Sequence, residues 1–332
     1  MSEKTAVLVI GVGSIGERHV RCFQATGRAH VSLCEINAEL RYRIAEKYGV
    51  QQAYSDLDAA LAGRHNAAVI CAPAHLHISM AMKLAEAGVH LLIEKPLSTS
   101  LDGTDDLRRT VARRGLVTAV AYVQRAQPTL EAMKRALDSG RFGRPVHLVV
   151  TCGQHFPTYR PAYREIYYKD RATGGGAIQD ALTHMVNAAE WLVGPVDRVA
   201  GDAAHQVLQG VEVEDTVNVI ARHGAVMAAY SLNQHQAPNE TAITVVCDKG
   251  ACRWELHRNR WRWMTEPGGA WHDEPFDPIE RDTVFVRQAG AFLDTLEGKR
   301  PPLCSLDEGI QTLRVNLAIL AAVQKQAWQS VR

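Results

Sequence analysis

Lys95, Asp180 and His184 are the side chains of this 332-residue chain whose types and spacing suit the oxidation of an alcohol. Such a reaction needs an acceptor for the hydride and a base for the hydroxyl proton. Imidazole fits the second task, because its ordinary pKa lies near neutrality. Asp180 stands four residues before His184, so on a helix both side chains leave one face. The carboxylate can then fix the ring's tautomer or stabilise the imidazolium. An ordinary ion pair on a solvated helix has the same spacing. Lys95, in Glu94-Lys95-Pro96, follows an apolar run and so falls at the carboxyl edge where open α/β sheets take ligands. Its ammonium can favour a developing alkoxide there, and Pro96 keeps Lys95 extended. A plain charged strand exit has the same composition.

The hydride acceptor has its own candidate place. Gly11-Val12-Gly13-Ser14-Ile15-Gly16 follows the run Ala6–Ile10 directly and opens a helical pattern. A pyrophosphate needs that close backbone approach and the free N–H groups of a helix N-terminus. Gly11, Gly13, Ser14, Ile15 and Gly16 are therefore candidate cofactor ligands. Glu35, 19 positions after Gly16, closes the next apolar run and can accept hydrogen bonds from both adenosine ribose hydroxyls, which points to NAD. A structural turn followed by a surface Glu is the alternative.

These residues must be carried by elements, and the chain supplies two textures. Ala6–Ile10, Val31–Cys34, Ala68–Cys71, Val89–Ile93 and Val117–Tyr122 are strand-like and alternate with helical patterns, as in a parallel sheet covered by helices. A helix at about Pro128–Ser139 leads away. From Val146 onward strand patterns dominate, which indicates a largely antiparallel sheet. One long helix, about Ala177–Val193, interrupts it after Gly174-Gly175-Gly176, and Thr283–Leu296 and Leu306–Gln326 are helical again.

Composition narrows the function class. The formal charge is +1, from 37 Lys+Arg against 36 Asp+Glu, with no basic element that would signal a nucleic-acid partner. The seven cysteines are scattered without a CxxC pair, so neither a zinc site nor a disulfide framework is expected. His75 and His77 have ligand-like spacing, but no Cys or carboxylate cluster completes a metal site. No apolar stretch is long enough for a membrane span. The strand-like run begins too early for a signal peptide, so a cytoplasmic location is expected. Trp254, Trp261, Trp263 and Trp271 could stack on a sugar ring, but packing of a sheet face or a subunit contact is preferred.

At this point the chain resembles the glucose-fructose oxidoreductase / inositol dehydrogenase family, Gfo/Idh/MocA. The resemblance rests on Gly11–Gly16, Pro73 and His77, Glu94-Lys95-Pro96, and Gln124-Arg125 with Pro128, Gly140, Gly143 and Pro145. It continues through Gly174-Gly175-Gly176 with Asp180 and His184, and Glu214-Asp215-Thr216. Gln124, Ala74 and Asn187 depart from the family's usual Arg, Asn and Asp, which leaves the substrate open. The resemblance implies catalytic roles for Lys95, Asp180 and His184. It adds Pro73, His77, Glu94 and Lys95 to the cofactor site, and Gln124, His155 and Tyr163 beside the catalytic residues on the substrate.

The expected architecture is a Rossmann domain over 1–122, then a substrate and oligomerisation domain over 123–302 with an open, largely antiparallel sheet. A terminal helix at about 303–332 is expected to pack back towards the first domain. The expected activity is reversible NAD-dependent oxidation of a secondary hydroxyl in a sugar, cyclitol or related polyol. Two alternatives remain: a glycosidase using NAD transiently, and a non-catalytic dinucleotide-binding sensor or repressor. A homodimer or homotetramer through the second sheet is implied by the family.

Overall fold

The computed structural model describes residues 4–331, and the chain divides into two compact units. The first comprises residues up to Ala126 together with Glu280–Ile310. Its sheet has six strands: β1 (Thr5–Ile10), β2 (Ala29–Cys34), β3 (Ala53–Tyr54), β4 (Ala67–Ile70), β5 (His90–Ile93) and β6 (Thr118–Val120). They lie in the order β3-β2-β1-β4-β5-β6 with every pairing parallel. The strand order reverses between β1 and β4, and that switch point creates the crevice where such sheets take dinucleotides. Val7, Leu8 and Val9 are fully buried, as expected of a central parallel strand covered on both faces.

The connecting helices are α1 (Ser14–Ala25), α2 (Ala38–Tyr48), α3 (Leu57–Leu61), α4 (His77–Glu86) and α5 (Thr104–Arg114). Helix α2 starts on the Asn37 side chain, which accepts from Leu40 N, and stops at Gly49 with φ of 63°. The two-residue β3 and the five-residue α3 are too short to show a period in sequence.

In the second unit, α6 (Pro128–Asp138), the four-residue α7 (Phe156–Tyr159) and α8 (Thr183–Val193) accompany a nine-stranded sheet. Its strands are β7 (Pro145–Gly153), β8 (Arg198–Ala204), β9 (Thr216–His223), β10 (Val226–Asn233), β11 (Glu240–Cys247), β12 (Gly250–Glu255), β13 (Arg260–Met264), β14 (His272–Pro275) and β15 (Gln329–Ser330). The order is β14-β13-β12-β11-β7-β10-β9-β8-β15. Only β7 and β10 pair in parallel; the other pairings are antiparallel. Alternation along β9 sends Val217, Val219 and Ala221 inward and leaves Ile220 half exposed.

Two helices end the chain, α9 (Arg281–Leu296) and α10 (Leu306–Lys325). The expected boundary at 302 differs from the observed one. Helix α9 clusters with the first unit because Asp282 accepts from Arg18 and Arg21 of α1, and Phe292 meets Phe23 edge-on at 6.4 Å. The later turns of α10 cluster with the second unit, where Val315, Ala318, Ile319 and Ala322 join the core beneath the sheet.

Candidate active site

In the first unit, the turn between β1 and α1 is shaped by what its glycines exclude. Gly11 has φ of +77°, a region that favours glycine. A Cβ on Gly16 would lie 1.8 Å from Gly11 O, so only glycine lets the helix close on the strand. Gly13 faces open space, with nothing within 4 Å of where its Cβ would stand, and no side chain caps α1. Its N-terminal N–H groups are left for an anion. Glu35 lies just past β2, its carboxylate accepting from Val12 N at 2.9 Å and Asn37 N at 3.0 Å.

The turn after β5 carries Lys95, partly exposed, with a cis Lys95–Pro96 peptide. Its neighbour Glu94 points inward and is 5 % exposed. Glu94 Oε1 lies 2.7 Å from His19 Nε2, and Oε2 accepts from Lys95 N at 3.0 Å. Burial would raise the Glu94 carboxyl, but His19 and the charge and N–H of Lys95 outweigh it and hold it below the usual range. His77 is buried, its ring nitrogens 2.7 Å from Ala72 O and 3.1 Å from Pro96 O. Burial pushes its pKa down against the pull of those carbonyls.

In the second unit, the glycine run enters a π-helical turn, Ile178–Leu182, before α8 begins. The sequence pattern suggested one regular helix here. The wider i→i+5 turn, a form frequent at functional sites, carries Asp180. Two close approaches explain the glycines. A Cβ on Gly175 would lie 2.3 Å from Tyr168 O, and one on Gly176 would lie 2.5 Å from the Glu214 carboxylate. That carboxylate, 2 % exposed, accepts from Ile178 N at 3.1 Å and from Arg171 at 2.5 Å, so it pins the start of the turn. Asp215 next to it accepts from the N–H groups of Gln206, Val207 and Leu208. From Gly174 to Ala189 every residue is buried except Asp180, Ala181 and His184. The Asp180/His184 pair therefore opens from a buried helix rather than decorating a solvated one. The Tyr167 hydroxyl donates to Asp180 Oδ1 at 2.5 Å.

A family model described as the oxidoreductase family with an NAD-binding Rossmann fold, GFO_IDH_MocA, matches residues 5–122. A second, the GFO/IDH/MocA C-terminal domain, matches residues 130–253. The chain belongs to the GFO/IDH/MocA family. Levoglucosan dehydrogenase of Pseudarthrobacter phenanthrenivorans is 26% identical, the match covering 58% of this chain and 52% of that protein. The match thus spans about half of that relative's length. UDP-N-acetylglucosamine 3-dehydrogenase of Acidithiobacillus ferrooxidans is 26% identical over 95% of this chain and 96% of that protein. Among solved structures, levoglucosan dehydrogenase in complex with NADH and levoglucosan superposes with a TM-score of 0.90. It is 20% identical and covers 99% of this chain and 100% of its own. The likeness is one of fold.

Within this family member, the sequence-expected residues separate into those that line open space and those that do not. Gly13, Ser14 and Pro73 are exposed, while Ile15, Glu35, Lys95, Asp180 and His184 are partly exposed. Tyr163, expected on the substrate, is instead 2 % exposed, packed with Phe156 and Tyr168, its hydroxyl on Gln209 O at 2.7 Å. Tyr167, which the sequence reading missed, reaches Asp180. Its signal was the Tyr167-Tyr168 doublet before the glycine run, one ring exposed and the other buried. His77 and Glu94, expected to touch the cofactor, are spent on buried backbone and side-chain partners, so they position the turn rather than offer free groups. Gln124 is partly buried in the first unit, its Oε1 without a partner among the described residues, and His155 Nδ1 lies 2.7 Å from Thr158 Oγ1.

Trp254 and Trp261 lie in the core, Trp254 Nε1 donating to Thr129 Oγ1 at 2.8 Å. Trp263 stacks on His272 at 4.1 Å with Arg141 over its ring, and Trp271 lies beside Arg262. Trp254 and Trp261 are thus core residues, while Trp263 and Trp271 are partly exposed beside their sheet partners. Among the described residues no cluster of His, Cys, Asp and Glu could hold a metal, and no helix is long and apolar enough to cross a membrane.

Proposed function

We propose that the chain catalyses reversible, NAD-linked oxidation of a secondary hydroxyl in a sugar, cyclitol or related polyol. The observation that carries this reading is the opening of Asp180 and His184 from an otherwise buried helix, with Tyr167 on the carboxylate. The names of several relatives, a levoglucosan dehydrogenase, a UDP-N-acetylglucosamine 3-dehydrogenase and a myo-inositol 2-dehydrogenase, support the substrate class.

NAD, when bound, supplies the hydride acceptor. The bare N-terminus of α1 and the open space at Gly13 suit its pyrophosphate, and Glu35 suits a ribose diol. His184 takes the hydroxyl proton, and Asp180 orients the ring and favours its cationic form. Lys95 hydrogen-bonds the substrate oxygen and favours the alkoxide. Pro73 borders the cofactor, and Gln124 and His155 contribute to substrate choice. A second copy of the chain, covering the outer row Ile220, Ala229 and Val149, would give a homodimer or homotetramer. The location is taken as cytoplasmic.

A screen of sugars, sugar acids and inositols for NADH formation tests the reading. NADH from at least one polyol, lost in His184→Ala, is expected. Glycoside cleavage without net NADH would replace the reading with a transient-oxidation glycosidase. Binding of NAD without any turnover would replace it with a sensor.

A further inference from the structure

We propose that His19, which lies outside the reacting groups, is a positioning residue for Lys95 that acts through the buried carboxylate of Glu94. The proposal rests on the role given to Lys95 above.

His19 belongs to α1, the helix whose N-terminus forms the bare anion cradle, and is 1 % exposed. Phe23 lies 6.2 Å away, and Phe285 of α9 meets the ring edge-on at 5.9 Å, so the imidazole has little freedom. Its Nε2 faces Glu94 Oε1 at 2.7 Å. A glutamate's terminal torsion is broad by itself, and a buried carboxylate held at one oxygen can swing. Held at Oε1 by His19, Glu94 presents Oε2 to Lys95 N at 3.0 Å. On the other side of Lys95, His77 Nδ1 lies 3.1 Å from Pro96 O, and its Nε2 lies 2.7 Å from Ala72 O. The backbone on both sides of Lys95 is thus tied to buried side chains. One tie runs to the helix that begins at the pyrophosphate cradle; the other is the neutral His77 ring, whose single N–H serves either Pro96 O or Ala72 O. Loss of His19 would free the carboxylate, loosen the Lys95 peptide and misplace the ammonium without touching the groups that hold NAD.

A double-mutant cycle separates this role from core filling. His19→Leu should lower kcat by ~10–100-fold, since a misplacement of about 1 Å can cost ~10²-fold. NAD affinity, read by quenching of protein fluorescence, should change little. His19→Gln, which returns an N–H of similar reach, should recover most of the loss. In the Lys95→Ala background, His19→Leu should cost nothing further, because residues acting through one group are not additive. An equal fold-loss in both backgrounds, unchanged kcat in His19→Leu, or no rescue by His19→Gln would overturn the proposal. If His19→Leu does not fold, Glu94→Met, which removes both acceptor oxygens at similar length, carries the cycle: an expected loss in kcat that vanishes in the Lys95→Ala background. If Lys95→Ala alone leaves turnover intact, the role of Lys95 is wrong and this proposal falls with it. Additive losses beside an impaired Lys95→Ala sink only the proposal.

Discussion

The two units build their candidate functional residues by different means. In the first unit, backbone defines the cradle: Gly11, Gly13 and Gly16 work by what they lack, and Glu35 closes the turn by accepting from Val12 N. In the second unit, side chains define the site: Asp180 sits on a π-turn pinned by Glu214 and is met by Tyr167. Both depend on distant partners, Glu35 for Val12 and Glu214 for Ile178, but the cradle offers backbone N–H groups and the second unit offers titratable side chains. The first should therefore govern cofactor affinity and the second the chemical step.

Exchanging His184, the proposed general base, breaks that division most directly. His184→Ala should lower kcat by ~10²–10⁴ while leaving NAD affinity unchanged. Combined with Asp180→Ala, the loss should be less than the product of the single losses if the pair acts as the proposed unit. Steady-state kinetics on singles and double decide this. Near-normal kcat in His184→Ala would return the pair to an ordinary helix ion pair.

Lys95 lies in the cofactor half by fold and is assigned to substrate by chemistry, so it sharpens the comparison. Lys95→Ala should lower kcat by ~10²–10³ with NAD affinity retained. Lost NAD affinity at normal kcat would make it a cofactor residue.

Cofactor choice is the next effect. The Glu35 carboxylate beside a 2′-phosphate opposes like charges, so NAD should exceed NADP by at least ~10-fold in kcat/KM, equivalent to ~1.4 kcal/mol. Equal turnover with both would remove Glu35 from the ribose site.

The smallest expected effects separate two tyrosines. Tyr167→Phe removes a hydrogen bond to a carboxylate that water can partly replace, so kcat should fall several-fold, about 1 kcal/mol, with stability unchanged. Tyr163→Phe should cost about 1 kcal/mol of stability, read by denaturant unfolding, with kcat and KM intact. The reverse pattern would restore Tyr163 to the substrate.

The same contrast explains what could be read from the sequence. The Rossmann half was legible because strand, glycines, helix and Glu35 follow one another at fixed spacing, and the strand and helix positions differ by only a few residues from those expected. Helix α9 was legible as a helix but not as part of the first unit, because Asp282 and Arg21 are joined only by the fold. In the second unit, Asp180 and His184 were legible by type and spacing. The π-turn was not, since it arises from Glu214 and the room left at Gly176. Which tyrosine would be buried depends on the cluster that Leu208, Val211 and Val213 complete from far along the chain. Strands β13 and β14 were obscured by Trp261, which is buried in the core, and by Trp263, whose packing onto Phe142 and His272 is long-range or cross-strand.

The central claim is that the chain moves a hydride from a polyol to NAD with His184 as base. The most direct measurement is NADH absorbance on incubating the protein and NAD with a polyol panel, followed by a pH profile of the best substrate. We expect NADH in step with a keto product, a rate rising with pH through one ionisation, and loss of that rise in His184→Ala. Bound NAD with no NADH from any member of the panel, or a profile that His184→Ala leaves unchanged, would contradict it.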